Sequence, residues 1–143
     1  MRVVFPGGIS VQAFGRSGLV STEGDARPDW ALYLDELWRD VEVGWSRRFI
    51  EWPDFELPID ESDAFDAFEE AWRRANDGEI VDIACDGGTG RTGTTLACLG
   101  IMAGLSLDEV VRWVRSNYHR WAVEVPEQEA MIRRFAKTQR LGG

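Results

Sequence analysis

Cys85, Arg91 and Thr92 stand close together in the stretch CDGGTGRTG, between the apolar run EIVDIA and the segment TTLACLGIMAG. A thiolate is a strong nucleophile, and a guanidinium is a planar fork that holds two oxygens of a tetrahedral anion at once. A loop of Cys, five residues and Arg, set between a buried strand and a helix N-terminus, would turn successive backbone N–H groups inward and form a nest for that anion. Gly87, Gly88 and Gly90 let the chain curl that tightly. Asp86, Gly87, Gly88, Thr89, Gly90 and Arg91 are therefore candidates to bind a phosphate group, with Cys85 at the floor of the cradle.

Holding such a sulfur ionised at neutral pH takes more than the ~2 kcal/mol that a helix dipole offers at best. The loop N–H groups, the guanidinium of Arg91 and the hydroxyl of Thr92 are the groups in reach to supply the rest. Asp86 opposes this if its carboxylate faces inward, so it is expected to point toward the cleft rim.

Two other readings of the stretch meet fewer of their physical demands. Gly88, Gly90 and Gly93 spell G-x-G-x-x-G, but a dinucleotide site also needs an acidic residue about 20 positions later at the end of a second strand. Asp108 and Glu109 instead fall at a helix start. A Walker loop needs a lysine directly after its second glycine, and no pair of glycines here provides one in register.

The elements that must position these residues read as follows. RVVFPGG and ISVQAFG form two short strands around a Pro-Gly-Gly turn, and the segment through Glu23, Gly24 and Asp25 forms a polar loop. RPDWALYLDELWRDV puts Trp30, Leu34, Leu37, Trp38 and Val41 at helical spacing. SRRFIEW is a strand ending at Pro53; ESDAFDAFEEAWRRAN is a helix with Phe65, Phe68 and Trp72 on one face, Ser62 as cap and Gly78 as stop. EIVDIAC is a buried strand. After the glycine loop come an apolar helix ending at Gly104, an amphipathic one capped by Ser106, and a last one starting at Pro126. The sum is an α/β sandwich, a small mixed central sheet with helices on both faces and the anion loop between a buried strand and a helix N-terminus.

At 143 residues the chain is expected to be one domain, residues 1–143, large enough for a core without staples. Two cysteines and one histidine are too few soft ligands for a tetrahedral metal centre, so neither metal nor cofactor is expected, and the thiols are read as reduced in a cytoplasmic setting. The N-terminal stretch lacks a signal-peptide core and no window approaches the ~20 apolar residues of a membrane span. A net charge of -9 repels nucleic acid and anionic lipid, so neither is expected as a partner.

On these residues the chain resembles the protein-tyrosine phosphatase superfamily, whose signature is C-x5-R-[ST]; the SNYHRWAVEVPEQ segment suggests its small bacterial branch. Upstream, WPDFELP, Trp52 to Pro58, is similar to that family's mobile acid loop, and downstream VEVPEQ ends in Gln128, which resembles the glutamine that handles the hydrolytic water. The resemblance implies Cys85 as nucleophile, Arg91 on the phosphate, Asp54 as general acid and then base, Thr92 stabilising the departing thiolate and Gln128 positioning water. It implies hydrolysis of a phosphate monoester without a metal, on a phosphotyrosyl or phosphoseryl/threonyl protein or a small ester, with a bell-shaped pH dependence. Rival readings are a phosphatase of a small metabolite or nucleotide and a non-catalytic phosphate-binding module. The chain departs from the family at Ala84, where a histidine is usual, and shows no counterpart of the tyrosine-bearing depth-gauging loop.

Several neighbouring residues read as structural. Cys98, on the apolar helix, is favoured as a core thiol, and His119 as a surface or helix-end residue. Asp60, Glu61 and Asp63 form a solvated acidic face, with Asp60 as an alternative acid.

Overall fold

The computed structural model describes residues 1–15, 26–87 and 89–142. Strands β1 (Arg2–Val4), β2 (Ser10–Gly15), β3 (Trp30–Tyr33), β4 (Ser46–Phe49) and β5 (Val81–Cys85) form one sheet in the order β1-β2-β5-β3-β4. β1 runs antiparallel to β2, and β2, β5, β3 and β4 run parallel. The β1–β2 hairpin turns through Gly7 and Gly8, both at φ 98°, a conformation that only glycine adopts without strain.

Side chains alternate across the sheet. On β5, Val81, Ile83 and Cys85 face one core while Ala84 faces another, and on β3, Trp30 and Leu32 part from Ala31 and Tyr33 in the same way. The first core is filled by four helices, α1 (Glu61–Asn76), α2 (Gly90–Met102), α3 (Leu107–Asn117) and α4 (Pro126–Gly142), through Phe68, Leu96, Val114 and Phe135 among others. Each such fully buried side chain contributes roughly 1.5–3 kcal/mol. The second face is covered by a short 3-10 helix, Glu36–Trp38, with Tyr33 and Trp38 stacked at 4.3 Å. There the cross-strand pair Gln12 and Asp82 is joined by a buried 2.6 Å bond from Gln12 Nε2 to Asp82 Oδ1, which satisfies polar groups that burial would otherwise penalise.

The segment read as a helix from Arg27 to Val41 is instead β3 followed by the 3-10 turn. Trp30 and Leu34 lie four apart because alternate residues of an extended chain share a face, and every residue from Trp30 to Leu34 is buried, so no polar positions mark the strand period. The side chain of Leu37 and the loop through Glu23, Gly24 and Asp25 lie outside the described residues. The cap of α1 is Asp60 rather than Ser62: its carboxylate accepts the Asp63 amide at 3.0 Å. Gly78, at φ 90°, stops that helix as read, and Glu109 Oε1 accepts the Ser106 amide at 2.8 Å at the start of α3. Among the described residues no helix is long and apolar enough to cross a membrane.

Candidate active site

In an open parallel sheet, functional loops gather beyond the carboxyl ends of the strands. Cys85 ends β5, which lies between β2 and β3; Asp35 follows β3, and the segment Trp52 to Asp54 follows β4. Three chain segments far apart in sequence thus meet at one edge.

The loop after Cys85 delivers α2 with its amino end toward this edge. Thr89 occupies the cap position and gives the helix no side-chain hydrogen bond, which leaves amides there for another acceptor. Thr92 Oγ1 donates to Cys85 Sγ at 2.9 Å. Further along, the Thr94 and Thr95 hydroxyls donate to the carbonyls of Gly90 and Arg91 at 2.6 and 3.0 Å, turning both side chains back on their own helix. Gly93 is needed for close approach, since a Cβ there would meet Ala122 Cβ at 2.6 Å.

Arg91 is 4% exposed and braced from two directions: Nη1 donates to the Trp52 carbonyl at 2.9 Å, and Nη2 lies 2.9 Å from Asp35 Oδ2. Asp35 Oδ2 also accepts the Asp86 amide at 3.1 Å, tying the start of the loop to the arginine that ends it. The Nε of Arg91 is buried with no partner among the described residues, and such a donor is costly to leave unsatisfied. Asp86 is exposed, at the rim as expected from its charge. Gly87 is exposed and Thr89 half-buried, while Gly88 lies outside the described residues.

Asp54 approaches the same guanidinium, with Oδ1 3.6 Å from Arg91 Nη2, yet its side chain is 53% exposed. Its Oδ1 accepts the amide of Phe55, which sits at φ 60°. The segment is anchored two residues earlier by Trp52, buried in the first core, whose indole Nε1 donates to the Glu56 carbonyl at 2.8 Å.

Across the loop, Arg115 donates to the carbonyls of Ala122 and Val123, both at 2.9 Å. Gln128 is fully buried; its Oε1 accepts the Glu124 amide at 2.8 Å, and its Nε2 has no partner among the described residues. The Glu124 carboxylate accepts the Gly90 amide. Burial and the Asp54 carboxylate push the Glu124 carboxyl above the usual glutamate value, against the opposing pull of the Gly90 amide, Arg91 and His119. Tyr118 stands close enough to Cys85 that a charge on the sulfur, after burial, adds to the upward push on its phenol.

The structure thus brings Cys85, Thr92, Arg91 and Asp54 together, with Gln128 joined to them through Glu124. Cys85 itself is 1% exposed, and the concavity of about 240 Å³ lined by Arg91, Asp35, Asp54 and Asp86 does not reach it. Cys98 is fully buried in the first core, where burial and then Glu61 push its thiol well up. Asp60 is engaged as a helix cap, and His119 is exposed, its Nδ1 accepting the Trp121 amide at 3.1 Å. Among the described residues no group of three or more His, Cys, Asp or Glu side chains is arranged to hold a metal ion.

Sequence reasoning did not single out Asp35, Glu124, Arg115 or Tyr118. The signal for Asp35 was its place just after an apolar strand, which the helical reading of that segment hid. Glu124 stood in view beside Gln128, but nothing in the sequence said that its side chain folds back over the glycine loop.

No family model matches the chain. Two uncharacterized proteins of Methanocaldococcus jannaschii are 41% and 40% identical to it over 63 and 65 residues, which is 43% and 45% of this chain. The matches span 41% and 38% of those relatives, less than half of either. Among solved structures, Tk-PTP in its active form aligns over 90% of both chains at 24% identity with a TM-score of 0.72. A mutant form of Tk-PTP aligns over 98% of this chain and 97% of its own at 23% identity and 0.75. Human DUSP28 aligns over 100% of both at 14% identity and 0.71. At these identities the likeness is one of fold.

Proposed function

We propose that this chain, whose fold is that of the protein-tyrosine and dual-specificity phosphatases, is a cysteine-dependent phosphatase of that superfamily. In this reading it is a single catalytic domain that hydrolyses phosphate monoesters, tyrosyl phosphates first among them, through a cysteinyl-phosphate intermediate. The observation that carries the reading is Arg91, a buried guanidinium held by Asp35 and the Trp52 carbonyl with its Nε unshared, at the amino end of the helix whose Thr92 hydroxyl touches the Cys85 sulfur.

The substrate phosphate binds the loop amides and the guanidinium of Arg91, displacing the Glu124 carboxylate from the Gly90 amide. Cys85 attacks phosphorus in line, so that an S–P bond forms as the ester P–O bond breaks. Asp54 gives its proton to the leaving oxygen. In the second half Asp54 takes a proton from a water held by Gln128, that water attacks phosphorus, and the sulfur leaves as a thiolate steadied by Thr92. The exposure of Asp54 beside the anchored Trp52 supports an acid that swings in after substrate binds.

Turnover of p-nitrophenyl phosphate tests this. The expected outcome is hydrolysis unchanged by EDTA, inhibited by vanadate, bell-shaped in pH and lost in Cys85→Ser. Retention of activity in Cys85→Ser overturns it.

A further inference from the structure

The phosphate subsite is unusual in what surrounds it. Among the described residues that line it, the one guanidinium is already matched by a buried carboxylate, since Arg91 and Asp35 are 2.9 Å apart with side chains 4% and 8% exposed. The remaining charged groups lining the concavity, Glu36, Glu51, Asp54 and Asp86, are all anionic. An adjoining concavity of about 490 Å³, which shares Pro53 with the first, offers the exposed apolar side chains of Phe55 and Ile59 together with the carboxylates of Glu56 and Glu127.

Most of these rim carboxylates have no internal use. Glu51, Glu56, Asp86 and Glu127 make no ion pair among the described residues, whereas Glu36 is only loosely paired with Arg39 at 3.5 Å, both half-exposed or more. On the side of Glu124 the guanidinium of Arg115 is spent on the Ala122 and Val123 carbonyls, and that of Arg120 lies over the Trp121 ring, 5.0 Å from its centroid.

A surface of one sign beside a binding pocket repels ligands of like charge and raises the local concentration of those of opposite charge. A dianionic phosphate arriving alone crosses this rim against repulsion; one tethered to a cation does not. Apolar surface with carboxylates at its edge also suits the aliphatic stem and charged head of lysine or arginine.

Resting on the phosphatase reading, we infer that the site selects phosphotyrosyl peptides in which arginine or lysine flanks the phosphorylated residue. The rim carboxylates receive the flanking cations, while Arg91 and the loop amides take the phosphate.

The test compares two phosphotyrosyl peptides of equal length, one with arginine and one with glutamate at the flanking positions, beside p-nitrophenyl phosphate. At low ionic strength kcat/KM is expected to favour the arginine peptide by roughly tenfold, and the advantage should shrink toward parity in about 0.5 M salt as charges beyond a Debye length are screened. The double variant Glu51→Gln, Glu127→Gln should lose most of the preference and keep p-nitrophenyl phosphate turnover within about twofold of the parent. Equal rates for the two peptides, or a preference that salt leaves untouched, overturn the inference while leaving the phosphatase reading standing. If p-nitrophenyl phosphate is not hydrolysed at all, the phosphatase reading fails, and fluorescence anisotropy of the two labelled peptides then decides the charge selection separately: equal affinities overturn it.

Discussion

Arg91 and Asp54 face each other at 3.6 Å, yet the protein treats them in opposite ways. The arginine is enclosed, gripped by a carboxylate and a carbonyl from two different strand ends, and its place is decided before any ligand arrives. The aspartate stands more than half in solvent, held only by the amide of its own neighbour. Anion binding rewards a rigid site because fixed donors need no reorganisation; proton delivery tolerates and even needs a part that swings, since it must admit the substrate first. On the proposed mechanism, the contrast accounts for one carboxylate near the guanidinium, Asp35, being buried and the other not.

Substitutions can break that contrast, beginning with the largest effect. Cys85→Ser should remove turnover of an aryl phosphate entirely while circular dichroism and the unfolding midpoint stay near the parent's. Asp54→Asn should lower kcat by about 10²–10⁴ and leave denaturant stability within roughly 0.5 kcal/mol, as surface changes do. Asp35→Asn should do the reverse in emphasis: it leaves Arg91 as a buried charge without its counter-ion, so urea unfolding should show a loss on the order of 3–5 kcal/mol along with weaker phosphate binding. If Asp54→Asn destabilises as much as Asp35→Asn, the division into a rigid and a mobile half is wrong.

Two smaller effects sharpen the picture. Gly93→Ala drives a methyl against Ala122 and should cost about 1–3 kcal/mol by thermal unfolding, as overpacking does. Glu124→Gln concerns pH. The carboxyl of Glu124 holds its proton more tightly in the folded chain than in the unfolded one, so the folded state binds the extra proton and parent stability falls as pH rises from the ordinary glutamate value through the raised one. The glutamine variant lacks that loss. Its unfolding midpoint relative to the parent should therefore be higher at pH 7 than at pH 4, and an unchanged difference between the two would contradict the raised value.

Much of this arrangement was legible in the residues themselves. The hairpin at Gly7 and Gly8, α1 with its stop at Gly78, and the strand-loop-helix around Cys85 all carry local signals: turn glycines, helical periodicity and caps. The stretch from Arg27 to Val41 did not, because a strand buried on both faces loses the alternation by which strands are recognised, and chance put its tryptophans and leucines at helical intervals. That one error hid Asp35, whose role exists only once β3 is placed beside β5. Cys85, Arg91 and Thr92 stood out because they share one short stretch, and Asp54 because WPDFELP resembles the acid loop of the phosphatase family. Glu124, Arg115 and Tyr118 act across the fold, and no spacing in the sequence encodes where α3 and α4 dock.

The parallel strands all send their carboxyl ends toward the edge that carries Cys85, whereas the turn at Gly7 and Gly8 closes the hairpin at the opposite end of β2. That turn is consequently a handle: a tag or immobilisation tether spliced there would present the candidate site outward on a bead or sensor chip, with the whole sheet as spacer between the support and the Cys85 loop.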